Sequence, residues 1–148
     1  MNVDIATEIA IGCPRSEVAA FASDPDNTKR WYVNIKEVEW QTDRPVQLGS
    51  RIAFVAHFLG RKLSYTYEVV ELVTGERFVM RTSEGPFPME ITYTFESIDD
   101  RTTKMTLRNQ GKPSGFSALM APLMKRAMRR ANEKDLQLLK TILEAGKT

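Results

Sequence analysis

Alternating hydrophobic and polar positions occupy most of the first 111 residues of the chain. At the start, Val3, Ile5, Thr7, Ile9 and Ile11 alternate with polar or small residues, which is the period of a strand with one buried face. The same alternation predicts six further strands, at residues 35–41, 51–58, 63–72, 77–83, 89–96 and 103–110. Short turns join these six strands, so we expect antiparallel pairing, because parallel pairing needs crossovers of a dozen or more residues.

Helical spacing appears in three other places. Residues 14–21 predict a short helix opened by Pro14, and residues 25–31 predict a second helical turn. The last third, residues 115–145, predicts one long amphipathic helix with a break near Pro122. Its apolar stripe contains Phe116, Met120, Leu123, Met124, Ala127, Met128, Ala131, Leu138, Leu139 and Ile142. Its polar side contains Lys125, Arg126, Arg129, Asn132, Glu133, Gln137 and Lys140.

This order of elements predicts an α+β fold. A sheet with one buried face needs a partner layer, and the long helix has the apolar stripe to provide it. The 148 residues suit one domain, so we interpret residues 1–148 as a single unit.

Composition narrows the function classes. The chain is 42% hydrophobic and 27% charged, with neither a secretory signal pattern nor a membrane-span pattern, which predicts a soluble, cytoplasmic protein. A net charge of +2 argues against nucleic acid as a partner. The basic cluster of Lys125, Arg126, Arg129 and Arg130 is typical of a solvated helix face, with a protein-interaction surface as the alternative.

Residues capable of acid-base or metal chemistry are few. Cys13 and His57 are each the only one of their kind, and strand phase places His57 on the solvent side, which predicts neither a metal site nor a catalytic triad. Asp135 lies on the apolar stripe of the helix, where we expect it at the rim or paired with Arg81 or Arg108. We therefore expect no cofactor.

The inward strand positions carry a second pattern. Among apolar neighbours they include Tyr65, Tyr67, Tyr93, Thr82, Thr7 and Asn109, which fit either an amphipathic ligand's cavity or tyrosines whose hydroxyls reach the edge of the core. Methionines recur at Met80, Met89, Met105, Met120, Met124 and Met128, as core filler or as an adaptable pocket lining.

Several short motifs, in this order, resemble the START-like (SRPBCC) superfamily and its polyketide cyclase/dehydrase group. They are Ile9-Ala10-Ile11 running into Pro14, Glu17 and Val18; Asp24-Pro25 followed by Arg30-Trp31; Arg77-Phe78-Val79-Met80-Arg81-Thr82; Gly85-Pro86-Phe87-Pro88; and Asp135-Leu136 through Leu139-Lys140 to Leu143-Glu144. The resemblance implies the helix-grip fold, in which a curved seven-stranded antiparallel sheet wraps the C-terminal helix around a ligand cavity.

The resemblance also implies a function. We expect a noncatalytic or weakly catalytic binder of a small hydrophobic or amphipathic molecule such as a lipid, with a polyketide aromatase/cyclase or dehydratase as the alternative and a homodimer left open. The expected ligand-binding residues are Trp31, Phe54, Phe58, Tyr65, Tyr67, Met80, Thr82, Phe87, Met89, Ile91, Tyr93, Asn109, Phe116, Met120, Leu123, Met124 and Ala127. Trp31 and Phe87 are expected to border the entrance, because one ends a helical turn and the other stands between two prolines.

Overall fold

The computed structural model describes residues 2–112 and 118–146, and its elements follow the predicted order. The strands are β1 (Val3–Ile11), β2 (Ile35–Trp40), β3 (Arg51–Phe58), β4 (Arg61–Val73), β5 (Arg77–Glu84), β6 (Met89–Asp99) and β7 (Thr102–Gly111). The helices are α1 (Arg15–Ala22), α2 (Thr28–Trp31) and α3 (Ala121–Ala145), with short 3-10 turns at Pro25–Asn27 and Ala118–Met120.

The seven strands form one curved antiparallel sheet in the order β1-β7-β6-β5-β4-β3-β2. The first strand joins the last, with Val3 opposite Gly111 and Ile11 opposite Thr103, and the other strands follow as a meander. Short helices after the first strand and one long C-terminal helix complete the helix-grip fold, as predicted.

The predicted alternation sets which side chains are buried. In β1, Val3, Ile5 and Ile11 are buried while Asp4 and Glu8 are exposed. In β7, Met105, Leu107 and Asn109 are buried on the same face. These strands therefore contribute alternate side chains to the concave side of the sheet, which is where the core and the site lie.

Helix α3 packs along β1, at the edge of the sheet. Side chains of α3 donate to backbone carbonyls of this edge strand, Arg129 to Ala6 at 3.2 Å and Lys140 to Ala10 at 2.9 Å. Glu144 accepts a hydrogen bond of 2.7 Å from the backbone N–H of Gly12. The helix therefore covers an edge that would otherwise expose unpaired backbone groups.

The break near Pro122 is confirmed, because a 3-10 turn ends at Met120 and α3 begins at Ala121 with Pro122 in its first turn. The expected helical residues 115–117 lie outside the described part of the chain. Asn132, predicted on the polar side of the helix, is buried, which corrects the predicted solvent face. No helix within residues 2–112 and 118–146 is long and apolar enough to cross a membrane.

Candidate functional site

A cavity of about 150 Å³ lies between the concave face of the sheet and α3. Its lining comes from α2 and the segment after it, from the start of β2, from β3 to β7 with the β5–β6 loop, and from one side of α3. The lining residues are Thr28, Tyr32, Asn34, Ile35, Phe54, Ala56, Phe58, Leu63, Tyr65, Tyr67, Met80, Phe87, Met89, Ile91, Tyr93, Asn109, Met124, Met128, Ala131, Asn132 and Asp135.

The volume limits what the cavity can hold. Drug-sized ligands occupy cavities of roughly 300–1,000 Å³, whereas an engineered cavity of about 150 Å³ accepts benzene. The described cavity therefore has room for one small ring or a short chain, unless its flexible side chains move.

Aromatic rings form the wall on the sheet side. Tyr65 stands between Tyr67 and Phe87, with ring centroids 5.7 Å from each, and Phe54 meets Tyr67 edge to face at 5.8 Å. Such tilted and edge-on contacts are favourable geometries for aromatic pairs. The rings fix one another, so this wall is largely preformed.

The loop that carries Phe87 is held closed at its base by Thr82. The Thr82 hydroxyl accepts a hydrogen bond from the N–H of Met89 at 3.0 Å and lies 3.3 Å from the Met89 carbonyl, to which it donates. Gly85 lies so close to Tyr65 that an added Cβ would stand 2.7 Å from Cδ1 of that ring. The loop can approach the wall this closely only because residue 85 has no side chain.

Asp135 of α3 supplies a carboxyl group to the cavity. Its side chain is buried, and Oδ1 accepts a hydrogen bond of 3.0 Å from the N–H of Val33. Burial raises the pKa of Asp135 to about 6, although the Val33 hydrogen bond opposes the rise. The carboxyl group therefore changes charge near neutral pH.

Asn132 stands one helical turn before Asp135 and is 6% exposed. Its Nδ2 is buried without a hydrogen-bond partner among the described residues. A buried amide with an unmade hydrogen bond costs about 1–3 kcal/mol, so this side chain retains an unused capacity to bind a polar group.

Two tyrosines complete the polar end. The hydroxyl groups of Tyr32 and Tyr93 lie 2.8 Å apart, and either one can donate to the other. Burial raises the pKa values of Tyr32, Tyr67 and Tyr93 above the ordinary range, and that of Tyr65 to about 12. All four hydroxyls therefore stay protonated at neutral pH.

Among the described residues of the lining, Asp135 is the one with a side chain that can carry a charge of a carboxylate or amine. On the outer face of the sheet, Arg81 pairs with Glu90 at 3.5 Å and Arg108 with Asp4 at 2.7 Å. The expected pairing of Asp135 with Arg81 or Arg108 is therefore wrong. His57 is exposed, as strand phase predicted, and no lysine, arginine or histidine lies among the described residues of the lining.

Eleven of the predicted ligand-binding residues lie on the cavity wall. They are Phe54, Phe58, Tyr65, Tyr67, Met80, Phe87, Met89, Ile91, Tyr93, Asn109 and Met124. Phe116 lies outside the described residues. Whether the eleven contact a ligand stays a prediction.

Five predicted residues do not line the cavity. Trp31 is fully buried beneath Tyr32 and Tyr93, with ring centroids 4.3 and 5.6 Å away, so it is part of the core and does not border an entrance. Thr82 supports the Phe87 loop, as described above. The other three, Met120, Leu123 and Ala127, belong to the first turns of the C-terminal segment.

Helix rotation explains these three positions. Successive residues turn by about 100°, and the residues that reach the cavity are Met124, Met128, Ala131 and Asp135. Leu123 is 51% exposed because it lies on another side of α3, and Met120 is 45% exposed in the 3-10 turn before the helix. Ala127 is partly buried beside the residues of α3 that line the cavity, but its side chain is too short to reach the cavity.

Ten lining residues were not among the expected ligand-binding residues: Thr28, Tyr32, Asn34, Ile35, Ala56, Leu63, Met128, Ala131, Asn132 and Asp135. A signal for Asp135 was available, since Met124, Met128, Ala131 and Asp135 follow the spacing of a single helix face, and Asn132 lies four residues after Met128. Tyr32 had no comparable signal, because it follows α2 in an irregular segment.

A second concavity of about 590 Å³ lies beside α1. It is larger, but its walls include surface charges such as Arg15, Arg77 and Asp99, and Arg15 and Arg77 are more than two-fifths exposed. Ligand sites are typically apolar clefts with a few convergent polar groups, a description that fits the smaller cavity under α3.

Comparisons with known proteins agree with this architecture. TTHA0849 from Thermus thermophilus superposes with a TM-score of 0.84 at 21% identity, covering 99% of this chain and 100% of the other. A START superfamily protein from Mycobacterium smegmatis superposes with a TM-score of 0.81 at 12% identity, covering 96% of this chain and 97% of the other. The Zhui aromatase/cyclase from Streptomyces sp. R1128 superposes with a TM-score of 0.81 at 12% identity, covering 97% of this chain and 94% of the other.

At these identities the structural matches establish the fold. No curated protein matches the chain by sequence. The family model described as polyketide cyclase / dehydrase and lipid transport matches residues 2–144, nearly the whole chain. The chain therefore belongs to the polyketide cyclase / dehydrase and lipid transport family.

Proposed function

We propose that this protein binds one small, mostly apolar molecule in the cavity between the sheet and α3. The observation that carries the proposal is the division of the lining. Phe54, Tyr65, Met80 and Met128 are among the residues that give an apolar body, while Asn132 and Asp135 gather polar atoms on one side of α3. An apolar body with a few convergent polar groups is the usual form of a site for an amphipathic small molecule.

Flexible side chains support a ligand-binding role further. Met80, Met89, Met124 and Met128 all line the cavity, and the unbranched thioether side chain of methionine can take several rotamers at small energetic cost. The cavity can therefore adapt its shape around ligands that differ in outline while keeping its polar end fixed.

Filling the cavity tests this function. Replacing Ala131 with phenylalanine places a ring where the ligand would lie, and we expect the affinity for p-xylene, an apolar probe of suitable size, to fall by about 100-fold or more, equivalent to about 2.7 kcal/mol. Isothermal titration calorimetry or NMR titration measures the dissociation constant.

Ala145 provides the matched control, because it is exposed on the same helix. Ala145→Phe adds the same ring outside the cavity and should leave affinity unchanged. Equal p-xylene binding by both variants and the unmodified protein would show that the ligand binds elsewhere.

A second candidate function, cyclase or dehydratase chemistry on a carbonyl compound, is favoured by Asp135. A carboxyl group with a pKa of about 6 can both donate and accept a proton near neutral pH, and the Tyr32–Tyr93 pair is available to polarise a carbonyl oxygen. With a reactive poly-β-keto substrate mimic, Asp135→Asn should lower turnover by about 100-fold or more, the scale of a lost general acid or base. Unchanged turnover would remove Asp135 from such a mechanism.

A further inference from the structure

The polar end of the cavity, formed by Asp135, Asn132, Tyr32 and Tyr93, offers hydrogen-bonding groups that restrict the class of ligand. Asp135 and Asn132 are three residues apart on α3, so their side chains project from the same side of the helix. Both are buried, at 2% and 6% exposure, and both line the cavity. A polar group of the ligand that reaches one of them is therefore close to the other.

Each of these groups has unused hydrogen-bonding capacity. Asp135 Oδ1 accepts a hydrogen bond from the Val33 N–H, and an ionised carboxyl group can accept several hydrogen bonds through its two oxygens. Asn132 Nδ2 is a buried donor without a partner among those residues. In the hydroxyl pair of Tyr32 and Tyr93, the accepting oxygen retains its own hydrogen, which it can donate to a ligand.

These capacities select among ligand groups. A carboxylate would meet Asp135 with no cationic side chain in the described lining to compensate, so repulsion disfavours it. An ammonium group would satisfy Asp135 but would face the N–H donor of Asn132, which needs an acceptor. A hydroxyl group donates one hydrogen bond and accepts others, so of these three groups it is the one that satisfies both residues.

We propose that the ligand carries a neutral hydroxyl group, as a phenol or a small cyclic alcohol does, that donates to Asp135 and accepts from Asn132, with its ring against the aromatic wall. This inference rests on the proposed function, because it names the ligand class for the same cavity. The cavity volume of about 150 Å³ suits a single ring with one such group. Burial raises the pKa of Asp135 to about 6 although the Val33 N–H donates to it, so the protein compensates only part of the buried charge, which agrees with this assignment.

Four ring compounds of similar size test the inference at pH 8, where Asp135 is ionised. They are 4-methylphenol, p-xylene, benzylamine and benzoate, and the first two differ only by exchange of a hydroxyl for a methyl group. We expect 4-methylphenol to bind about tenfold or more tighter than p-xylene, the scale of one hydrogen bond to a charged group, and tighter than either charged probe.

Two variants test whether Asp135 and Asn132 cause the preference for 4-methylphenol over p-xylene. Asp135→Asn and Asn132→Leu should each reduce several-fold the ratio of the p-xylene dissociation constant to the 4-methylphenol dissociation constant. Gln137→Leu is the matched control for the second, because Gln137 is exposed on the same helix, and it should keep the full preference.

The outcomes separate this inference from the proposed function. Equal binding of 4-methylphenol and p-xylene, or a preference unaffected by both variants, would overturn the hydroxyl assignment while leaving an apolar binding site. Tighter binding of benzylamine or benzoate would overturn it in favour of a charged ligand. Failure of all four probes to bind would overturn the proposed function and this inference together.

Discussion

Replacing Trp31 with alanine is expected to destabilise the protein by about 3–5 kcal/mol, the range for truncating a buried tryptophan. Trp31 is 0% exposed and packs against Tyr32 and Tyr93, so its loss would leave a void in a region that also supports the site. Because small domains are stable by only about 5–15 kcal/mol, this would be a large part of the total. Denaturant unfolding monitored by circular dichroism measures the change.

Two other variants interpret that result. Trp40 is partly exposed and donates to Asp26 Oδ1 at 2.9 Å, so Trp40→Ala should cost only about 1 kcal/mol, the centre of the distribution for point mutations. Trp31→Phe should cost less than Trp31→Ala, because it keeps a ring and removes an indole N–H that has no partner in the described structure. If Trp31→Ala costs no more than Trp40→Ala, Trp31 is not a core residue and its predicted place at the entrance regains support.

The second large expected effect is a dependence of protein stability on pH that arises from Asp135. Burial raises the pKa of this carboxyl group from its ordinary 3.8 to about 6 in the folded protein. The folded state therefore binds the proton of Asp135 more tightly than the unfolded state does. The free energy of unfolding falls as pH rises through about 4 to 6, and above that range it falls no further on account of Asp135. At about 1.4 kcal/mol per pKa unit the loss is about 3 kcal/mol.

Asp135→Asn removes this titration. Its oxygen can still accept from Val33, so the stability of the variant relative to the unmodified protein should rise by about 3 kcal/mol between pH 4 and pH 8. Denaturant unfolding of both ligand-free proteins across this range provides the comparison. Gln137→Leu, an exposed change on the same helix that involves no ionisable group, should show no such trend. A difference between Asp135→Asn and the unmodified protein that stays constant with pH would mean that Asp135 is solvated in the folded state.

The fold could be predicted because its main signal is local. Alternation along β1 and β7 placed the correct face of each strand inward, since a strand has only two faces and one of them was mostly apolar. Short turns then required antiparallel neighbours, and the stripe on the last helix supplied the second layer. The same two-face rule also shows why the predicted partners of Asp135 were wrong. Arg81 follows Met80 and Arg108 follows Leu107 in the sequence, so both arginines had to point away from the cavity.

The site was less predictable because it depends on distances between elements. A helix has many directions around its axis, and the side that faces the cavity is set by how the sheet curves around it. Leu123 and Asn132 show the consequence: the apolar residue is exposed and the polar one is buried. The predicted place of Trp31 at the entrance was wrong for a similar reason. Its position at the end of a helical turn did not show that Trp31 packs behind Tyr32 and Tyr93, which themselves line the cavity.

The most direct test of ligand binding in this cavity is a crystal structure of the protein soaked with bromobenzene, with the bromine located by its anomalous scattering. Bromobenzene has no polar group, so the result does not depend on the hydroxyl assignment. Binding as proposed places the bromine peak between the sheet and α3, within contact of residues such as Phe54, Met80 and Met128. A peak only in the groove beside α1, with the cavity under α3 empty at saturating bromobenzene, would contradict the proposed site.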